Sequence, residues 1–223
     1  MTKWALRAFG LTKQHAGRPV LRGVNLSLAA GEVLAITGAP GAGKSLLLSV
    51  LATATRADAG SFYVDGWPVL AWPGHRPRLR EVRRRIGYLP ERTGHLPGLT
   101  GWESGLLFAR LFGLDPGAAR RRLGDLFERL DLLGVAGQPV ATYSLSERRR
   151  LALAEALLHQ PSLLLLDRPD DGHAASVRAH IADVLQAEAR RGRAILLALR
   201  DGDAAPELAL LGRRAVLAGG LLS

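Results

Sequence analysis

The sequence of 223 residues contains no cysteine, a single methionine and few aromatic residues. The lack of cysteine excludes disulfide bonds and thiolate metal sites, and it agrees with a cytosolic location. No stretch approaches the roughly 18 uninterrupted apolar residues that a membrane-spanning helix needs. The opening residues 1–13 lack the apolar core of a signal peptide. We therefore expect a cytosolic chain that does not itself cross a membrane.

Lysine is also scarce, although the chain is strongly basic. Its 30 basic residues exceed its 20 acidic residues by ten, and only three of the basic residues are lysines. This preference for arginine is compositional, so we interpret most arginines as a solvated surface. Arginine triplets at 83–85, 120–122 and 148–150 leave anionic lipid as an alternative contact. The triplets lie far apart and aromatic residues are scarce, so nucleic acid is not expected as a partner.

The hydrophobic pattern predicts an α/β fold with a mainly parallel sheet. Short apolar runs separated by turns over residues 3–33 predict a small antiparallel sheet at the N-terminus. Apolar strands alternate with helices further along the chain, which is typical of parallel sheets whose ligands bind at the carboxyl ends of the strands. The predicted core elements are strands at 33–36, 60–66, 163–166 and 194–199 and helices at 45–51, 148–159 and 174–190.

Two further segments interrupt this alternation. Residues 67–77 are rich in proline, glycine and tryptophan, and we predict a loop there. Residues 106–133 are helical in pattern, with a break at 114–117, and we predict an inserted helical lobe. We expect one domain over 1–223, with the core at about 1–90 and 155–223 and the helical subdomain at about 92–154.

Residues 38–45, GAPGAGKS, match the phosphate-binding pattern G-x-x-x-x-G-K-[ST] in full. Glycines let successive backbone N–H groups face phosphate oxygens, and the following helix directs its positive end at them. In such a loop Lys44 contacts the β- and γ-phosphates, while the Ser45 hydroxyl binds Mg²⁺. Lys44 is one of only three lysines. We therefore predict that this loop, including Ala39, Pro40 and Ala42, binds ATP.

Asp167 ends the apolar run LLLL at 163–166. A carboxylate at the end of a strand beside a phosphate loop is placed to hold Mg²⁺, directly or through water. The alternative is a helix cap, which is a common role for a strand-terminal aspartate. Because the phosphate loop is present, we favour the metal-binding role.

Taken together, these motifs resemble the nucleotide-binding subunit of an ABC transporter. The resemblance runs from residue 11 to about 200, with LRGVNLSLAAGEVLAI at 21–36 leading into the loop. The segment IGYLPE at 86–91 resembles the Q-loop in a form, ending here in Glu91, that is frequent in exporter-type subunits. LTGWE at 99–103 is similar to the same branch. YSLSERRRLALAEAL at 143–157 occupies the place of the signature motif and its helix.

The resemblance implies an assembly as well as a fold. In this family two nucleotide-binding subunits close head-to-tail on ATP and Mg²⁺, and the signature of one covers the phosphate loop of the other. A membrane permease docks near the helical lobe and converts closure into transport. The expected location is thus the cytoplasmic face of the cell membrane, with an integral-membrane permease and a second nucleotide-binding subunit as partners.

Two departures from the family affect nucleotide binding. His15 stands where an aromatic residue usually stacks on adenine, and its ring is smaller. Leu46 follows Ser45 where a threonine is usual, so the phosphate site has one hydroxyl fewer. We expect both changes to weaken ATP binding without abolishing it.

The signature motif is altered as well. Ser144, Leu145, Ser146 and Glu147 replace the usual Ser-Gly-Gly-Gln. Ser144 and Glu147 form a capping-box pattern, so a helix still begins here, and capping alone is one interpretation of the motif. Leu145 and Ser146 add side chains where glycine permits close backbone approach. Glu147 places negative charge near a partner's phosphate.

The hydrolysis positions depart most. Arg168 replaces the glutamate that polarises water, and a guanidinium has no acceptor for a proton. Asp170, Asp171 and Glu91 are candidate substitutes. Ala174 stands at the place of the D-loop aspartate, with His173 before it, and Arg200 at that of the switch histidine. We therefore hypothesise that ATP hydrolysis is weak or absent in this site.

The effect of Arg168 itself allows two interpretations at this stage. Arg168, together with Arg200, would favour retention of ATP by neutralising phosphate charge. Alternatively, Arg168 pairs with Asp167 and weakens Mg²⁺ binding. The sequence leaves both open.

The leading hypothesis is an ATP-binding subunit of an ABC transporter that works with a separate permease, with export favoured by Glu91. A soluble ATP-dependent switch on nucleic acid or ribosomes is the alternative, although such proteins usually carry two cassettes. A small-molecule kinase would explain residues 38–45 but not the motifs at 86–91 and 143–157.

Overall fold

The computed structural model describes residues 3–70, 77–200 and 206–223. Within these residues the strands are β1 (Trp4–His15), β2 (Arg18–Ala29), β3 (Val33–Thr37), β4 (Ala59–Val64), β5 (Trp67–Leu70), β6 (Ile86–Leu89), β7 (Leu163–Asp167), β8 (Ala194–Ala198), β9 (Arg213–Ala218) and β10 (Leu221–Leu222). The helices are α1 (Lys44–Leu51), α2 (Leu79–Arg83), α3 (Gly101–Phe112), α4 (Pro116–Arg129), α5 (Leu145–Leu158), α6 (Ala175–Arg190) and α7 (Pro206–Ala209).

These strands form two sheets. An antiparallel sheet has the order β2-β1-β4-β5, and a second sheet has the order β10-β9-β3-β8-β7-β6. In the second sheet the neighbours from β9 to β6 are parallel, and only β10 runs antiparallel to β9. The predicted α/β class is therefore confirmed, as are the N-terminal antiparallel sheet and the mainly parallel core.

The central strands of the parallel sheet are buried on both faces, which explains why their sequences are continuous apolar runs rather than alternating ones. Every residue of β3, β7 and β8 is buried. Asp167 pairs in register with Ala198, and Ile36 pairs with Ala198 from the other side. The carboxyl ends of β3, β7 and β8 thus meet at one edge of the sheet, which brings residues 38–45 close to Asp167.

Helices α3, α4 and α5 pack together beside this sheet. Phe127 and Leu123 of α4 are fully buried, and Trp102 of α3 meets Phe127 edge-on at 4.9 Å between ring centroids. The predicted break between α3 and α4 is confirmed. It is formed by Gly113 in a left-handed conformation and by the N-cap Asp115, whose side chain accepts a bond from the N–H of residue 118.

Helix α3 begins five residues earlier than the expected start at 106. The cause is a capping box in which the Thr100 side chain accepts a bond from the N–H of Glu103 and the Glu103 carboxylate accepts one from the N–H of Thr100. This T-x-x-E pattern is a recognised helix-start signal. None of the helices in the described ranges is long and apolar enough to cross a membrane.

The predicted loop over 67–77 is wrong at its start. Trp67–Leu70 form β5, which pairs antiparallel with β4, while residues 71–76 lie outside the described part of the chain. Asp65 and Gly66 connect the two strands with positive φ angles of 47° and 77°. An Asp-Gly pair between apolar runs favours a tight hairpin, and this local pattern outweighs the proline and glycine content that suggested a loop.

Candidate functional site

The loop at residues 38–45 connects β3 to α1, and its shape depends on glycine. Gly38, Gly41 and Gly43 have φ angles of 143°, 80° and 102°. A Cβ atom at Gly38 would lie 2.3 Å from the carbonyl oxygen of Leu217, and one at Gly43 would lie 2.7 Å from Val20. Both the backbone conformation and the close packing therefore require glycine at these positions.

Helix α1 begins at the end of this loop. Its N-cap is Gly43, no side chain of the described residues caps it, and its first turn contains no acidic residue. The first four N–H groups of a helix have no partner within the helix, and the helix dipole adds partial positive charge there. The arrangement is thus suited to an anion such as phosphate.

Lys44 is buried inside the loop. Its ammonium donates hydrogen bonds to the carbonyl oxygens of Gly38 and, at 3.1 Å, Ala39. The loop is also closed by a bond from the N–H of Ala42 to the carbonyl of Ala39 at 3.1 Å. The lysine is therefore positioned at the anion site by the loop that it stabilises.

Ser45, Glu91 and Asp167 lie together beside the loop. Ser45 Oγ is 3.5 Å from Glu91 Oε2. Asp167 is only 1% exposed. Burial raises the pKa of Asp167, and a hydrogen bond from Ser45 partly opposes this increase. Asp167 Oδ2 is buried and has no hydrogen-bond partner within the described residues.

A buried carboxylate oxygen without a partner is costly, and a cation or water normally satisfies it. The oxygen atoms of Ser45 and Asp167 are the ligand type that Mg²⁺ prefers. In the described residues no cluster of three or more His, Cys, Asp or Glu side chains can hold a metal without other ligands. This donor set therefore fits Mg²⁺ that takes its remaining ligands from phosphate and water.

Each arginine at a hydrolysis position is paired with a carboxylate. Arg168 Nη1 lies 2.8 Å from Glu91 Oε1, and Arg200 forms an ion pair with Asp171. Among the described residues the ion pair of Arg168 is therefore with Glu91 rather than Asp167, while the effect of Arg168 on ATP and Mg²⁺ binding stays a prediction. Two of the three candidate substitute bases are thus engaged by arginine. The third, Asp170, is buried, and burial raises its pKa.

Arg149 was not singled out in the sequence, yet it joins the two segments that carry these carboxylates. It is 2% exposed. It donates to the carbonyls of Pro90 and Glu91 at 2.7 Å and 2.8 Å and also to those of Asp167 and Arg168. Burial lowers the pKa of Arg149, and the nearby aspartates oppose this effect. The residue thus fixes the loop after β6 against the end of β7.

The N-terminus of α5 differs from that of α1 because its own side chains cap it. Ser144 is the N-cap, and the predicted capping box is confirmed. Glu147 Oε2 accepts bonds of 2.7 Å from both the N–H and the hydroxyl of Ser144, and these bonds lower the pKa of Glu147. A carboxylate therefore already occupies the positive end of α5. Leu145, 51% exposed, adds an apolar side chain at the same point.

The segment 172–174 contacts this helix start within the same chain. Ser146 Oγ lies 2.7 Å from Nδ1 of His173, and the Leu145 side chain covers Gly172. Burial and the neighbouring arginines lower the pKa of His173 to about 4. Ala174 follows as the N-cap of α6 and provides no capping side chain. His173 is thus a neutral hydrogen-bonding residue at neutral pH.

His15 and Leu46 lie in different surroundings near the loop. His15 is exposed at the end of β1, paired in register with Arg18 of β2. The same strand β2 carries Val20, which reaches Gly43 in the loop. Leu46 is partly buried and packs against the hydrophobic core. The structure therefore places His15 on the hairpin that borders the loop, and it gives Leu46 a packing role.

The strand, glycine loop, uncapped helix and strand-end aspartate define a P-loop nucleotide-binding fold. A family model described as ABC transporter matches residues 21–171. The chain belongs to the ABC transporter family.

Similar proteins include the daunorubicin resistance ATP-binding protein DrrA3 of Streptomyces coeruleorubidus, with 34% identity over 94% of this chain and 64% of the relative. Nod factor export ATP-binding protein I of Burkholderia pseudomallei has 34% identity over 83% of this chain and 59% of the relative. The chain thus spans about 60% of the length of these curated relatives.

Solved structures share the fold over nearly the whole chain. The dimeric bacterial ABC transporter cassette MJ0796 superposes with a TM-score of 0.85 at 22% identity, covering 98% of this chain and 96% of the cassette. An ATP-binding subunit of an ABC transporter superposes with a TM-score of 0.83 at 23% identity, covering 98% and 88%. At this level of identity the likeness establishes the fold.

Proposed function

We propose that the chain is the ATP-binding subunit of an ABC transporter, that it works with a separate membrane permease, and that it hydrolyses ATP weakly or not at all. One observation carries this proposal: an open phosphate site lies beside carboxylates that arginines engage. Arg168 pairs with Glu91 and Arg200 pairs with Asp171. The site therefore offers positive charge to a triphosphate, while arginines hold two of the three candidate bases and the third, Asp170, is buried away from water.

Nucleotide binding rests on the loop and on α1. The backbone N–H groups at the uncapped start of α1 and the ammonium of Lys44 would hold the phosphates. Ser45 and Asp167 would hold Mg²⁺, which supplies charge neutralisation when it is bound. His15 would contact the adenine from the neighbouring hairpin. Its smaller ring gives a weaker stack than that of the usual aromatic residue.

Weak hydrolysis is expected because the groups that could accept a proton from the attacking water are unsuitable. A guanidinium cannot take a proton, and a carboxylate held by an arginine is a weaker base than a free one. General-base assistance is typically worth about 10²–10⁴-fold in rate, so we expect a loss of this order. The self-capped start of α5 adds to this loss, because Glu147 already occupies the end of the helix that would otherwise face a partner's phosphate.

We also propose that the chain is one nucleotide-binding domain, with a helical subdomain at about 92–154 that faces the permease. A groove of about 340 Å³ lies where this subdomain meets the core, and its lining includes Tyr88, Pro90, Phe108 and Phe112. Pro90 directly precedes Glu91, which lies beside Ser45. A permease segment that contacts Pro90 in this groove would therefore be only one residue along the chain from the nucleotide site. The names of the drug-resistance and export relatives support export as the direction. The location would be the cytoplasmic face of the membrane, with anionic lipid as an additional contact.

The proposal is tested by measuring ATP binding and phosphate release on the purified chain, beside Lys44→Ala. We expect the unmodified chain to bind ATP and to release little phosphate, and we expect Lys44→Ala to lose ATP and ADP affinity together. Unchanged affinity in Lys44→Ala would contradict the assignment of the phosphate site. Purification from detergent-solubilised membranes addresses the partner: a co-purifying integral-membrane protein supports transport, whereas co-purifying RNA favours the soluble switch.

A further inference from the structure

We propose that Arg168 is a specificity-determining residue that distinguishes ATP from ADP, by exchanging its ion pair with Glu91 for the terminal phosphate. This inference rests on the proposed function, because it concerns the same nucleotide site. It goes beyond that function by assigning a positive role to the residue that replaces the water-polarising carboxylate. The assigned ligand group is the γ-phosphate of a nucleoside triphosphate.

The first observation is the position of Arg168 relative to the phosphate loop. The Glu91 carboxylate bridges Arg168 and Ser45, with 2.8 Å between Arg168 Nη1 and Oε1 and 3.5 Å between Ser45 Oγ and Oε2. Arg168 and Asp167 also influence each other electrostatically, because the arginine opposes the increase in the aspartate pKa that burial causes. Only the Glu91 carboxylate therefore separates the Arg168 guanidinium from Ser45, which is expected to bind Mg²⁺ next to the terminal phosphate.

The second observation is that the backbone of Arg168 is fixed while its side chain is held weakly. Its N–H donates to the carbonyl of Ala198 at 2.9 Å, and its carbonyl accepts from Arg149 and from the N–H of Asp171. Its φ angle is 48°, in the left-handed region that non-glycine residues avoid. Strained backbone of this kind is concentrated at functional sites.

Among the described residues the Arg168 side chain pairs with Glu91, and this ion pair is accessible to solvent and therefore exchangeable. The two side chains are 29% and 41% exposed. Exposed ion pairs contribute little to stability, because water screens them and ordering the side chains costs entropy. Arginine binds phosphate in a bidentate, charge-assisted manner, which is stronger than an exposed ion pair. A terminal phosphate at the loop therefore competes favourably for Arg168.

Exchange also keeps the charges of the site balanced. Without nucleotide, Arg168 neutralises Glu91 next to the buried Asp167. With a triphosphate bound, Arg168 neutralises phosphate charge, and Glu91 would face the divalent cation expected beside Ser45, so it stays paired and is not a free base in this state either. ADP lacks the γ-phosphate, so no competing anion is present and Arg168 stays paired with Glu91. The site consequently favours ATP over ADP.

The test is the ratio of ATP to ADP affinity, measured by titration calorimetry on the unmodified chain and on Arg168→Ala. We expect Arg168→Ala to weaken ATP binding about tenfold, equivalent to about 1.4 kcal/mol, and to leave ADP binding unchanged. Arg168→Lys should recover part of the ATP affinity, since it keeps the charge but loses the bidentate geometry. Glu91→Gln, measured without Mg²⁺ so that metal binding does not contribute, should raise ATP affinity several-fold because the competing pair is absent.

The control is Arg190→Ala, which removes the same charge from an exposed position at the end of α6, the end remote from the phosphate loop. It should change neither affinity, and thermal unfolding should confirm that all variants are folded. Equal weakening of ATP and ADP in Arg168→Ala, or no change in either, would overturn the assignment of Arg168. Failure of the unmodified chain to bind either nucleotide would instead refute the proposed function.

Discussion

Replacing Arg149 by alanine should destabilise the fold and disorganise the nucleotide site together. Arg149 donates hydrogen bonds to four backbone carbonyls, those of Pro90, Glu91, Asp167 and Arg168. Bonds from a charged donor contribute roughly 1.5–3 kcal/mol each, but they are not additive. Burial of the guanidinium, which lowers its pKa, offsets part of this gain. We therefore expect Arg149→Ala to lower the free energy of unfolding by about 3–5 kcal/mol, which is within the range for a broken buried hydrogen-bond network.

Urea and thermal denaturation measure this loss directly. For a chain of this size 1 kcal/mol corresponds to about 2–4 °C, so the midpoint should fall by about 10 °C. Arg148→Ala is the matched control, because the adjacent Arg148 is only partly buried and its side chain makes no hydrogen bond with the described residues. It should change stability by less than about 0.5 kcal/mol. A loss below about 1 kcal/mol in Arg149→Ala would refute the account of Arg149 as the link between the two segments.

Two further predictions concern stability. Burial lowers the pKa of His159 to about 4 from 6.5, so its contribution to stability is complete above pH 6.5 and is lost as the pH falls toward 4. Between pH 6.5 and pH 5, His159 should account for a decrease of about 2 kcal/mol in the free energy of unfolding. His159→Phe, which keeps the stacking on Phe112, should remove this part of the decrease. An unchanged dependence of the free energy of unfolding on pH would contradict this. Ser144→Ala should cost about 1 kcal/mol through loss of the N-cap of α5, whereas Ser176→Ala, at an exposed position of α6, should cost almost nothing. Equal unfolding midpoints for the two serine variants would show that the capping box contributes no stability.

The fold could be predicted from the sequence where a local pattern dictates the structure. The continuous apolar runs of β3 and β7 predict buried parallel strands, and both are present. The glycine loop predicts a strand-to-helix turn, and α1 begins within one residue of the expected position. The start of α3 and the strand β5 were missed, although Thr100 with Glu103 and Asp65 with Gly66 provide local signals for them.

The contacts within the candidate site could not be predicted, because they join residues far apart in the chain. Arg149 lies within an arginine triplet, and nothing in the triplet shows that Arg149 and Arg150 are buried while Arg148 is not. The pairing of Arg168 with Glu91 depends on the loop after β6 meeting the end of β7 in three dimensions. The roles of Lys44 and Asp167 in binding nucleotide and metal remain predictions that rest on motif and geometry.

The most direct test of the central claim is phosphate release by the purified chain at saturating ATP and Mg²⁺. We compare the unmodified chain with a double variant, Arg168→Glu with Glu91→Gln, which introduces a carboxylate at 168 without leaving it opposite the Glu91 carboxylate. We expect little release from the unmodified chain and a clear increase in the double variant, since general-base assistance is worth about 10²–10⁴-fold. Rapid phosphate release by the unmodified chain, abolished by Lys44→Ala, would contradict the claim that this site holds ATP without an effective base.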